Sequence, residues 1–113
     1  MTFAMGVAAA ELAADEPLDQ AQVVSGSPAT ASLVLASDDT AERGIWEITP
    51  GTVTDVEADE MFVVISGRAT IAVEGGATFD VGPGDVCVLT EGARTTWTVH
   101  ETLRKVYQIT LSL

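Results

Sequence analysis

The sequence predicts an all-β protein that closes into a jelly-roll barrel or sandwich. Short apolar runs rich in Val, Ile and Thr recur from Ala29 onward. Turn residues separate them at short intervals, and helix-compatible sequence is confined to about the first twenty positions. With 113 residues, 47% of them hydrophobic, the chain reads as one domain with a single core.

The elements follow in order. Residues 7–15 are Ala-rich and predict a short helical turn or two, stopped by Pro17. Residues 1–27 are expected to be an N-terminal extension, and residues 28–113 the domain itself. Residues 31–37 form an apolar β-prone run ended by Asp38-Asp39, and residues 44–49 follow, closed by Pro50-Gly51. Residues 60–65 predict a strand that Ser66-Gly67 reverses into residues 68–74. Gly75-Gly76 is a hairpin signal, because glycine tolerates the positive φ such turns need. Residues 77–81 return. In Gly82-Pro83-Gly84-Asp85, Pro83 and Gly84 suit the two central positions of a type II turn. Residues 86–90, 95–100 and 103–113 complete eight or nine strands. Short connections make neighbours antiparallel, and so many strands in a small protein must fold over or close.

Charge excludes several functions. The formal net charge is −12, from 17 acidic residues against five basic ones. Nucleic-acid backbones and anionic membrane surfaces would be repelled. No apolar run approaches the roughly 18 residues of a membrane span. Residues 3–10 are apolar, but no Lys or Arg precedes them and Glu11 interrupts them, so a cytoplasmic protein is expected. Cys87 is the single cysteine; it lies in an apolar run without a base beside it, which predicts a buried, inert thiol.

The spacing Glu60-x6-Gly67 and the run Gly84-x5-Thr90-x-Gly92 resemble the two motifs of the cupin superfamily. Thr90 stands where the second motif has proline. The resemblance extends over residues 28–110. The stretches 44–47 and 97–107 look like the ureidoglycine aminohydrolase-like branch, which includes the ethanolamine-utilisation cupins. It implies a jelly-roll barrel (a double-stranded β-helix) with a pocket inside.

Such barrels hold a metal by two histidines, a glutamate and a further histidine, and here the histidines are missing. Glu60 holds the glutamate position. Counting back, the paired ligands fall on Thr54 and Val56 or on Val53 and Asp55, and the last falls on Thr95. Only Glu60 and Asp55 are good ligands for a divalent ion, so the expectation is at most a weakly held Mn or Mg. Glu57 and Asp59 lie in the other register, and a one-residue slip turns every side chain to the opposite face. The bland alternative for Asp55, Glu57, Asp59 and Glu60 is a solvated acidic loop. A buried Glu60 without metal would need a partner.

Trp97 shares the inward parity of Thr95, and Trp46 and Tyr107 are further candidate pocket walls, although aromatic residues in a small barrel more often fill core. Arg94, at the expected barrel mouth, suits a carboxylate ligand or a surface ion pair. His100 is the only histidine and a conceivable acid–base group, but its parity points outward and favours a structural role.

Three functions compete. The first is a small-molecule binding cupin with a degenerate metal site, its ligand held by Glu60, Thr95, Trp97, Trp46, Arg94 and Tyr107. The second is a metal-assisted enzyme of the ureidoglycine aminohydrolase type, acting on a small nitrogenous or carboxylate substrate. The third is a purely structural barrel that dimerises. A homodimer is expected in any case, since sheet edges in a small barrel invite pairing.

Overall fold

Strict alternation of side chains builds the sheet, as Val86–Leu89 shows: Val86 and Val88 are exposed whereas Cys87 and Leu89 are buried. The computed structural model describes residues 2–111, and among them nine strands form one curled antiparallel sheet. These are β1 Ala13–Ala14, β2 Val23–Gly26, β3 Thr30–Ser37, β4 Ala41–Ile48 and β5 Gly51–Val56. They continue with β6 Asp59–Val73, β7 Thr78–Val81, β8 Val86–Leu89 and β9 Arg94–Thr110.

β9 is the spine. On one side β4 and β5 lie end to end along it, β4 against Leu103–Thr110 and β5 against Arg94–Val99. On the other side β6 pairs along nearly its whole length. Beyond β6, β8 and β7 again lie end to end. β3 flanks β4, and β2 flanks β5. Each ribbon bends at its middle, so the two halves of the sheet fold over one another and close as a jelly-roll barrel. The core lies between the halves, where Ile48, Phe62, Ile71, Trp97, Val99 and Leu103 meet.

Three expectations need correction. Ser66-Gly67 does not reverse the chain: residues 59–73 are one strand whose register shifts at Val64, Ser66 and Arg68. Extra residues at such bulges bend a strand without ending it. Residues 95–100 and 103–110 are likewise one strand, β9; residues 112–113, expected in it, lie outside the described residues. Asp55, for which an acidic loop was the bland alternative, lies in strand β5.

The N-terminal helix is also absent. One turn closes at Ala10 N–H to the Val7 carbonyl (3.3 Å), after which the chain runs extended into β1. Arg104 explains the path, since its Nη1 donates to the carbonyls of Val7, Ala8 and Ala10. The Ala8 and Ala10 carbonyls are thereby committed outside any helical ladder, while that of Val7 also takes the Ala10 N–H. β1 pairs with β3 and β2 with β5, so residues 1–27 contribute two strands to the sheet. The only helical element among the described residues is a 3-10 turn, Gln20–Gln22, and no helix is long and apolar enough to cross a membrane.

Cys87 is buried in the core, and desolvation pushes its thiol up to about 11, which keeps it protonated and unreactive at neutral pH.

Gly67 sits where the bends of β6 and β9 cross. Its φ is +85°, and a Cβ there would run into the Thr102 carbonyl and lie 2.6 Å from Leu103 Cα. Gly75, in the β6–β7 hairpin, has φ +72° but open space around it. Gly75→Ala should therefore cost about 1–2 kcal/mol from backbone strain alone. Gly67→Ala should cost clearly more, because backbone atoms block the methyl group. Urea denaturation of both variants checks this, and equal losses would contradict the close approach.

Candidate functional site

Apart from Glu101 at the bend, the odd-numbered positions from 95 to 107 in β9 face the interior, so Thr95, Trp97, Val99, Leu103, Lys105 and Tyr107 are all buried. Lys105 is the exception in character, an ammonium on an apolar face. Among the described residues the buried polar or charged side chains are Glu57, Glu60, Thr95 and Lys105. All four gather around the start of β6 and the inner face of β9.

Lys105 Nζ lies 2.6 Å from Glu60 Oε2, with both side chains only 7% exposed. The approach does not satisfy hydrogen-bond angles, so Oε2 touches an ammonium but receives no directed donor. The contact is an ion pair with acceptor capacity left over. Three aromatic faces surround the same ammonium: Phe62 at 4.3 Å, Trp46 at 4.5 Å and Trp97 at 5.1 Å from Nζ to ring centroid. Each such face is worth about 0.5–2 kcal/mol, depending on desolvation. Trp46 is the cross-strand partner of Lys105, which fixes the stacking by register alone. Trp97 packs edge-on against Trp46 and tilted against Phe62, closing the box.

A second polar group adjoins the first. Glu57 Oε2 accepts from Thr95 Oγ1 at 2.6 Å and from Trp97 Nε1 at 3.1 Å. Trp97 therefore joins the two groups, its ring over Lys105 and its N–H on Glu57. Desolvation first, and then the charge of Glu57, hold the Asp55 carboxyl above the usual carboxylate range. Tyr107 donates its hydroxyl to Glu42 at 2.9 Å; desolvation and that bond push its ionisation upward.

These groups line a cavity of about 310 Å³. Glu60, Asp55, Trp46, Trp97 and Tyr107 all face it, as do Glu57, Glu42 and Lys105. Leu18 and Gln22, from the N-terminal segment, close one side, and Gln22 Nε2 donates to the Thr54 carbonyl. Thr95 is committed to Glu57 and supports the wall from behind. Arg94 is exposed and lies outside the cavity, on a neighbouring groove of about 650 Å³. That groove is roomier but contains neither Lys105 nor Glu60. His100 is also remote: its Nε2 lies 2.8 Å from Thr70 Oγ1, whose proton goes to Asp80, so the imidazole donates in a surface chain. Asp59 caps the backbone N–H of Glu91.

Lys105 and Glu57 are the residues that sequence reasoning missed. For Lys105 the signal was present, since the inward parity of Thr95 and Trp97 continues to position 105. For Glu57 it was not. Residues 57 and 58 belong to neither β5 nor β6, so strand parity does not carry across them and both Glu57 and Glu60 turn inward.

The centre does not fit a divalent ion. The Glu60 carboxylate is paired with an ammonium, and among the described residues no group of three or more His, Cys, Asp or Glu is arranged to hold a metal. Glu60 and Asp55 share the space with Lys105, whose charge opposes a divalent ion there. The weakly held Mn or Mg expected from the sequence would have to compete with Lys105 for Glu60.

The model of the EutQ-like cupin domain matches residues 35–107. The chain belongs to that family. Among solved structures, this EutQ-like cupin is similar to a protein of unknown function of the DUF861 family from Pseudomonas syringae pv. tomato. The TM-score is 0.80 at 28% identity, over 89% of this chain and 45% of the other. It also resembles the EutQ protein of Clostridium difficile, with TM-score 0.66 and 19% identity over 74% of this chain and 64% of that one. The Cnp3 cupin domain of Schizosaccharomyces pombe gives TM-score 0.66 and 14% identity over 96% and 74%. The last two likenesses concern the fold alone. The chain spans less than two thirds of the length of the first two. No curated protein matches.

Two predictions follow from the charged groups. Lys105→Met and Glu60→Gln should each cost about 3–5 kcal/mol, because each leaves a buried polar partner uncompensated. The double variant should cost less than the sum, and strict additivity in denaturant unfolding would contradict the pair. Asp55 titrates higher in the folded chain than its unfolded value of 3.8. The folded state thus holds its proton longer, and ionisation of Asp55 above that value works against folding. Asp55→Asn should raise the melting temperature at neutral pH, with the gain shrinking as pH falls toward about 4 and absent below it. A gain independent of pH would contradict this.

Proposed function

We propose that this EutQ-like cupin binds a small molecule in the cavity beside Lys105, using a centre in which an ammonium stands where metal-bearing cupins keep a metal ion. The observation that carries this is the cavity itself. A purely structural barrel has no reason to leave about 310 Å³ next to four buried polar side chains. Buried charge costs several kcal/mol per ion when it does nothing for packing. Here it is concentrated in one place, walled by Trp46 and Trp97, and reached by the surplus acceptor of Glu60. Pockets that combine aromatic walls with a few converging polar groups are the usual form of small-molecule sites.

Metal-assisted hydrolysis of the ureidoglycine type is the weaker reading for this chain. Lys105 occupies the carboxylate that would be a ligand, and its charge opposes entry of a divalent ion. Nothing in the fold requires metal, because the ammonium already compensates Glu60.

The test uses the two tryptophans as reporters. A screen of compounds of about ten non-hydrogen atoms, matched to a volume near ten waters, should shift the Trp46 and Trp97 indole N–H signals. Val53, on the cavity wall, offers the control: Val53→Phe should abolish the shifts while the protein stays folded. Absence of any shift would reject the binding reading. Uptake of Mn in the micromolar range by calorimetric titration would reject the ammonium centre and restore the enzyme reading.

A further inference from the structure

We propose that the cavity selects ligands carrying a cationic nitrogen, an ammonium or amidinium group, over neutral or anionic compounds of the same shape. The inference rests on the small-molecule reading above and adds the chemical class.

Charge balance is the first argument. Four carboxyl side chains line the cavity, Glu42, Asp55, Glu57 and Glu60, against the single ammonium of Lys105. One cation cannot offset four acids in a partly desolvated space, where charges interact more strongly than in water. A ligand bringing positive charge relieves the imbalance, and an anionic ligand aggravates it.

Hydrogen-bond accounting is the second and independent argument. Several of the donors around the cavity are already engaged. Trp97 Nε1 serves Glu57, Tyr107 serves Glu42, Ser32 Oγ serves Asp15 and Gln22 Nε2 serves the Thr54 carbonyl. Open acceptor capacity remains at Glu60. Glu60 Oε2, on a side chain more than nine-tenths buried, receives no hydrogen bond in donor geometry. A carboxylate oxygen carries more than one lone pair, so Oε2 can face Lys105 and still accept from a ligand. A ligand N–H completes it, whereas a carboxylate or phosphate has no donor to give. Lys105 offers an anion little, since it already faces Glu60 and three ring faces.

Three probes of nearly equal shape test the class: benzylammonium, benzyl alcohol and benzoate. Binding is read by titration of the Trp46 and Trp97 indole signals at neutral pH. Benzylammonium should bind about tenfold or more tightly than benzyl alcohol, with benzoate weakest. Because the whole chain carries −12, attraction by its overall field must be separated from the cavity. Asp55→Asn should narrow the amine-to-alcohol ratio several-fold, whereas Asp39→Asn, on the exposed β3–β4 turn, should leave it unchanged. Equal affinities, a preference for benzoate, or equal effects of the two substitutions would each overturn the proposal while leaving a binding cavity in place. If none of the probes moves either indole signal, the small-molecule reading fails and the inference falls with it.

Discussion

The contact between Lys105 and Glu60 is the constraint on which the rest of the interior depends. Neither charge is tolerable alone at that depth, and neither sits on the same strand as the other. Glu60 opens β6 and Lys105 lies within β9, whose register on β6 is set by a long ladder. A slip of one residue in β9 would turn Lys105 to the outer face and leave Glu60 facing aromatic rings. The same slip would separate Lys105 from Trp46, its partner across β4. The ion pair thus ties three neighbouring strands to one alignment. Its contribution to net stability is modest, since desolvation offsets much of the attraction. Its contribution to specifying one alignment is larger.

The aromatic box explains how a barrel of this kind keeps charge at its centre without histidines. Phe62, Trp46 and Trp97 turn their faces toward one nitrogen, and Trp97 extends the arrangement to Glu57 through its indole N–H. A lysine cannot offer open coordination positions as a metal can, but it supplies fixed positive charge from the chain itself. The cavity beside it is lined by four carboxyl groups around a single ammonium.

Most of the fold was legible because turn chemistry is local. Gly75 and Gly84 have positive φ where the hairpin and type II turn required it, and the Val-rich runs alternate as expected. The long strands were misread for the same reason. Gly67 has the signature of a turn, and its role as a crossing point depends on Thr102 and Leu103, which are remote in sequence. The site was legible where strand parity held: Glu60, Thr95, Trp97 and Tyr107 point inward. Trp46 was found as an aromatic, and its pairing with Lys105 depends on the register between β4 and β9. Arg94 shows the limit in the other direction, since a residue beside the inward Thr95 necessarily faces away. The N-terminal helix failed because its carbonyls are drawn to Arg104, nearly a hundred residues away, which no local propensity encodes.

β9 is the last strand among the described residues and supplies the main pairing edge of β4, β5 and β6. During synthesis these three must leave the ribosome before their partner exists. For that interval their apolar faces and free backbone edges are exposed together, a state prone to sticking between copies. The closing step joins segments far apart in sequence and is slow compared with forming a hairpin. Acidic side chains are spread throughout the chain, so like-charge repulsion already separates unfinished copies. The acidity that shapes the finished cavity therefore also protects the polypeptide while it waits for its final strand.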